Sequence, residues 1–215
     1  MKRHTFSMEV KEGKMGEFRK GLGEIWPELV EFLDTKNIQN FSIWNVKHII
    51  FGYFETSDSF TFTKYDRVIV TVWEEKYGDL YSWISTPFDP MRMMYHDFGI
   101  VRESKELIRH RVFITKLKPG MEEEYKCRHD ALVEARGNEV TQGPDSNFSI
   151  WHAGGYIFGY NEIDTTMEHE MTQEEIESTI RWEKSMLEIM EWLTNDVDWI
   201  TGECHDSIRR ICWHT

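Results

Sequence analysis

The sequence is poor in the features that would tie a chain to nucleic acid, a membrane or an oxidising compartment. Cysteine is sparse and odd in number, at Cys127, Cys204 and Cys212. That excludes a disulfide framework and fits reduced thiols in the cytoplasm. Lysine and arginine number 25 against 38 aspartates and glutamates, leaving a formal net charge of −13. Such a surface suits neither the phosphate backbone of nucleic acid nor an anionic membrane. No apolar run approaches the roughly 20 residues of a membrane span, and no charged-then-apolar leader opens the chain. A metal is not expected either. Cys204, His205, Cys212 and His214 gather near one end, but their spacing fits no structural zinc pattern, and they read as a terminal strand with mixed side chains. A neutral small molecule, or a cationic or protein partner, remains.

What the chain has is apolar content, 40% with 14% aromatic residues, enough for a packed core. It also has an internal repeat. NFSIW occurs at Asn40–Trp44 and Asn147–Trp151, and IFGY at Ile50–Tyr53 and Ile157–Tyr160. Both pairs lie 107 positions apart (40 to 147, 50 to 157), so the spacing inside each copy is preserved. The copies are read as domains 1–106 and 107–215.

Each copy reads as an α+β unit. Phe6, Met8 and Val10 alternate as a half-buried strand does, and Phe113, Thr115 and Leu117 repeat the pattern. Met15, Phe18, Leu22, Ile25, Trp26, Leu29 and Leu33 recur at helical spacing and predict a helix over 15–33. NFSIW and IFGY then form a hairpin, joined by NVKH in one copy and HAGG in the other. In the second copy Thr172 and Glu175 make a capping box that opens a helix expected to run to about Leu193. The first copy is read as carrying a longer, aromatic insertion there, Thr61 to Trp83, with no secondary structure assigned to it. Final strands are expected near Ile100–Glu103 and Ser207–Trp213. Two such sheets, each with helices on one face, are expected to pack sheet against sheet as an intrachain pseudo-dimer enclosing a cavity.

The two first helices differ instructively. Met15, Phe18, Leu22, Ile25, Trp26 and Leu29 correspond to Glu122, Tyr125, His129, Leu132, Val133 and Arg136. Polar groups thus occupy a stripe that the twin devotes to core. Burying them unpartnered costs roughly 1–3 kcal/mol each, more for charges, so they must pair or line a wet pocket. A satisfied core histidine and an arginine snorkelling outward would be the plain alternative. Four polar groups on one stripe favour a pocket in copy two, with copy one a structural remnant.

These residues resemble the L-rhamnose mutarotase family, whose first helix carries a pattern like Y-x-x-R-H-[DN]-x-I-W-P-E-L. Copy two holds its first half as YKCRHD, Tyr125 to Asp130, and copy one its second half as IWPEL, Ile25 to Leu29. The N-[YF]-x-I-[YW] strand is present in both. The resemblance implies two ferredoxin-like units forming an intrachain dimeric α/β-barrel, with further homo-oligomerisation left open. It places the acid/base histidine at His129 and a sugar-contacting tyrosine at Tyr125. A second binding tyrosine is replaced by Phe148. Trp192 and Trp199 are the candidates for the family's paired tryptophans, with Met93–Met94 in the comparable place of copy one. Leu22 and Phe18 imply that copy one is inactive.

Exchange of the anomers of a reducing sugar needs a proton removed from the anomeric hydroxyl and one delivered to the ring oxygen. It needs no metal or organic cofactor. A group titrating near neutrality serves both directions, as histidine does. Tryptophan faces suit sugar C–H surfaces, and Glu122 or Arg136 would bind hydroxyls. The other tryptophans, Trp182 among them, are read as core. The same architecture also serves non-catalytic sugar-binding modules and monooxygenase-like or haem-binding proteins, for which the 11 methionines offer packing.

Overall fold

The structure is a computed structural model that describes residues 1–102, 104–193 and 208–215. Two compact units emerge, Met1–Met91 with Arg209–Thr215, and Arg92–Ile208. The first contains β1 (Lys2–Val10), α1 (Met15–Thr35), β2 (Gln39–Val46), β3 (Ile49–Thr56), α2 (Val68–Tyr77) and β4 (Tyr81–Trp83). The second contains β5 (Arg92–Asp97), β6 (Ile108–Leu117), α3 (Glu122–Arg136), β7 (Asp145–Ala153), β8 (Tyr156–Asp164), α4 (Gln173–Leu187) and β9 (Met190–Trp192). The last strand, β10 (Arg209–His214), belongs to the first unit. No described helix is long and apolar enough to cross a membrane.

Each unit is built on one five-stranded antiparallel sheet. The orders are β10-β2-β3-β1-β4 and β5-β7-β8-β6-β9. Without its first-named strand each is the β-α-β-β-α-β order of a ferredoxin-like unit, and the two match strand for strand. NFSIW lies on β2 in one and β7 in the other, each between the hairpin partner and the edge strand. The edge strands are exchanged. β5 lies within the first sequence copy yet pairs β7, placing Tyr95 opposite Ile150, while β10, from the second copy, pairs β2. The packed units therefore differ from the sequence copies by one strand each.

The repeated motifs are explained by local geometry. Asn40 and Asn147 stand at equivalent register shifts in β2 and β7 with φ of 50° and 52°. Asparagine tolerates that left-handed backbone, which a β-branched residue would strain. The glycine of IFGY has a different cause. The ring of Phe6 lies over Gly52 and that of Phe113 over Gly159, where a Cβ would fall 2.0 and 2.1 Å from ring carbons. The tyrosine of the motif donates to a buried carboxylate two residues on, Tyr53 to Glu55 at 2.6 Å and Tyr160 to Glu162 at 3.0 Å. Asn40 and Asn147 donate to the same two carboxylates.

Several expectations are corrected. The helix opened by the Thr172–Glu175 capping box ends at Leu187, and Met190–Trp192 form β9. Ile189 and Met190 are buried as expected, but outside the helix. Residues 100–102 are not a strand, the edge strand being Arg92–Asp97. Ser207, where the other final strand was expected to begin, lies outside the described residues, as do Cys204, His205 and Trp199. The stretch 61–83 is no insertion: it holds α2, a 3-10 turn at Gly78–Leu80 and β4, the counterparts of α4 and β9. Past the hairpin the offset between copies becomes 109, so Trp73-Glu74 matches Trp182-Glu183 and Trp83 matches Trp192. Pairing agrees, for Trp83 sits opposite Met8 and Trp192 opposite Thr115. Trp83, not Met93–Met94, is therefore the first copy's match for Trp192.

Candidate active site

The polar stripe on α3 is narrower than its sequence spacing. Only Tyr125 and His129 on this helix are buried, and Leu132 stays 40% exposed. Gly137, at φ 62°, stops α3 after Arg136, six residues shorter than its twin α1 of 21 residues. The helix thereby presents one turn, Tyr125 to His129, to a cavity of about 240 Å³ within the second unit. Its walls are Tyr95 from β5, Arg111 and Phe113 from β6, Phe148 and Ile150 from β7, and Thr179, Trp182, Glu183 and Met186 from α4. Met190 and Trp192 from β9, with Leu132, complete the lining.

His129 is held from three sides. Its Nδ1–H donates to the Tyr125 carbonyl oxygen at 2.9 Å. Because a carbonyl only accepts, this bond places the proton of the neutral ring on Nδ1 and leaves Nε2 as the basic nitrogen. The Tyr125 ring stacks on the imidazole with centroids 4.3 Å apart, and Trp182 meets it edge-on at 5.1 Å. Tyr95 closes the fourth side at 5.2 Å. Burial lowers the His129 imidazole to about 4, below the near-neutral titration expected from the sequence, so the ring is neutral at pH 7 and a proton acceptor at rest. Burial likewise pushes the Tyr125 phenol up, keeping it protonated.

A pH dependence of stability follows. The unfolded histidine takes its proton near 6.5, the folded one only near 4. Between those values the unfolded chain binds more protons, so the contribution of His129 is complete above pH 6.5 and is lost as pH falls toward 4. Urea unfolding midpoints measured at pH 7 and pH 4.5 should fall further for the parent than for His129→Leu. An equal fall in both proteins would contradict the burial of the neutral ring.

Sequence-expected residues divide into three groups. Tyr125, His129, Phe148 and Trp192 meet at the cavity. Glu122 and Arg136 are not among its lining residues. Glu122 lies on the first turn of α3, and Arg136 pairs with Asp97 at 2.8 Å and donates to the His96 carbonyl at 3.2 Å, bracing β5. Trp199 lies outside the described residues. The sequence reading missed Tyr95, Arg111, Thr179 and Glu183, and took Trp182 for core although it lines the cavity. Glu183 is buried and accepts from Trp192 Nε1 at 2.5 Å, which fixes the indole.

The first unit shows what the same scaffold looks like when filled. Phe18 and Leu22 replace Tyr125 and His129 and are buried. Tyr77 and Tyr81 stand where the second unit has Met186 and Met190, and the ring of Tyr77 lies against Gly21. Phe18 packs on Trp73 at 5.3 Å and on Tyr81 at 6.1 Å. The hydrogen bond from Trp83 Nε1 to Glu74, 2.7 Å, repeats that of Trp192 to Glu183. The tryptophan–glutamate bond therefore survives without the histidine and belongs to the scaffold.

Comparison with known proteins agrees with this duplication. The family model described as L-rhamnose mutarotase matches residues 3–95 and again 110–206. A relative named L-rhamnose mutarotase from Oceanobacillus iheyensis is 39% identical over 66 residues, 30% of this chain and 64% of the relative. Another of that name from Jannaschia sp. (strain CCS1) is 40% identical over 43 residues, 20% of this chain and 41% of the relative. These matches thus span less than two thirds of each relative's length. Among solved structures, a Fusobacterium nucleatum chain described as a proposed monooxygenase aligns with a TM-score of 0.43 at 10% identity, covering 98% of this chain and 92% of that one.

Proposed function

Since this chain belongs to the L-rhamnose mutarotase family, we propose that its second unit interconverts the anomers of a reducing sugar, with a deoxysugar such as L-rhamnose as the first substrate to test. The observation that carries this reading is the placement of a neutral, basic His129 Nε2 in an aromatic-walled cavity, at a position where the twin unit has leucine. Its volume suits one sugar ring, and Trp182, Trp192 and Phe148 offer faces for apolar C–H surfaces. His129 Nε2 takes the proton of the anomeric hydroxyl, the C1–O5 bond opens to the aldehyde, and rotation about C1–C2 precedes closure on the other face.

The test is NMR exchange spectroscopy of several reducing sugars with and without protein. Cross-peaks between α and β anomers should grow faster with protein for at least one sugar. Absence of acceleration for every sugar, in a folded sample, would defeat the reading. Tyr125→Phe keeps the stacked ring and removes one hydroxyl, whose hydrogen bond contributes about 0.5–1.5 kcal/mol net. Its exchange rate should therefore fall by no more than roughly tenfold.

A further inference from the structure

Ring opening needs a proton donor at O5 as well as a base at O1, and the twin unit helps to find it. Every cavity-lining residue of the second unit has a counterpart in the filled first unit. Phe113, Phe148, Ile150, Trp182, Glu183 and Trp192 are matched by identical residue types. The others differ: Tyr125, His129 and, by strand register, Tyr95 correspond to Phe18, Leu22 and Cys212, and Arg111, Leu132, Thr179, Met186 and Met190 correspond to His4, Ile25, Val70, Tyr77 and Tyr81. Among these differing residues Tyr95 carries a phenol whose ring meets that of His129 from another element of the fold, β5.

We propose that Tyr95 is the acid partner of His129, its phenol protonating the sugar ring oxygen while His129 Nε2 removes the anomeric proton. The two rings pack side by side on the wall of the same cavity, with centroids 5.2 Å apart and planes inclined at 58°. The two oxygens they serve sit on a single carbon. As the C1–O5 bond breaks, its electron pair goes to O5, which takes the phenolic proton. The O1–H pair forms the C1=O bond as its proton passes to Nε2. Closure reverses both transfers, so neither group is consumed and no further reactant enters. A phenol is a weak acid, but the departing O5 is becoming an alkoxide, a much stronger base. Arg136 Nη1 lies 3.5 Å from the Tyr95 oxygen while Asp97 holds the guanidinium at 2.8 Å, and burial together with the Asp97 carboxylate holds the phenol above its ordinary range, so the proton stays on Tyr95 at rest. Arg136 is thus a positioning residue one step removed from the sugar.

This assignment rests on the mutarotase reading, and the experiment separates the two. Anomer exchange is measured over a range of sugar concentrations for the parent, Tyr95→Phe, His129→Gln and the double variant. For Tyr95→Phe, kcat should fall about 10²–10⁴-fold, as for other acid–base groups, with KM changed by less than roughly tenfold. The double variant should be little slower than either single one, because groups that act as a unit are not additive. A raised KM with parental kcat would make Tyr95 a binding group only and overturn the proposal. So would losses that simply multiply in the double variant. A parent protein that accelerates no sugar would end the mutarotase reading, and the role of Tyr95 with it.

Discussion

Replacing His129 by alanine should abolish protein-accelerated anomer exchange while leaving the fold intact. General acid–base catalysis typically contributes about 10²–10⁴-fold, so exchange should return close to the spontaneous rate. The fold should survive because the equivalent place in the first unit already accepts an apolar side chain, Leu22, which is 5% exposed. Removal of the imidazole also ends the penalty of burying an ionisable group. The stacked Tyr125 and the edge-on Trp182 then border a small void, costing some stability. Circular dichroism and the anomer-exchange rate, recorded on one sample, decide the matter. Exchange at the parental rate would remove His129 from the chemistry and leave a sugar-binding module as the better reading.

The largest loss of stability should come from Glu162→Ala, far from any sugar chemistry. Glu162 is fully buried. Its Oε1 accepts from Tyr160 at 3.0 Å and Asn147 at 3.1 Å, and its Oε2 meets Lys105 Nζ at 2.5 Å. Alanine would leave a phenol, an amide and an ammonium group facing a vacated pocket. Breaking one side of a buried pair typically costs about 3–5 kcal/mol. Asn147 would also lose a restraint on its left-handed backbone. Urea unfolding of parent and variant measures the difference, and a loss below about 1 kcal/mol would show the carboxylate to be dispensable.

The contrast between these two glutamate- and histidine-centred sites explains what could be read from sequence. The duplication, the first strands, the first helices and the hairpins were legible because each is local and periodic. NFSIW and IFGY, the clearest signals, mark a bulge, an aromatic ring on glycine and a buried hydrogen-bond cluster, so they report the scaffold. His129 and Tyr125 were legible for the opposite reason, since they break the twin's apolar pattern. Helix α4 was overextended because Ile189, Met190 and Leu193 continue an apolar spacing that a helix also uses. Trp182 passed as core because an indole on an amphipathic helix looks the same whether it faces packing or a cavity. The match of Trp73-Glu74 with Trp182-Glu183 was hidden by a two-residue shift in offset. Tyr95 carried no local signal, since its importance depends on pairing β5 with a sheet made almost entirely of later residues.

That exchanged strand also governs the order in which the units can be finished during synthesis. The second unit's sheet needs only strands between Arg92 and Trp192, which leave the ribosome one after another. The first unit's sheet needs β10, which is made after every strand of the second. The half begun first is therefore completed last, and until then β2 carries an open edge of unpaired backbone groups, the kind of edge that invites pairing with another chain.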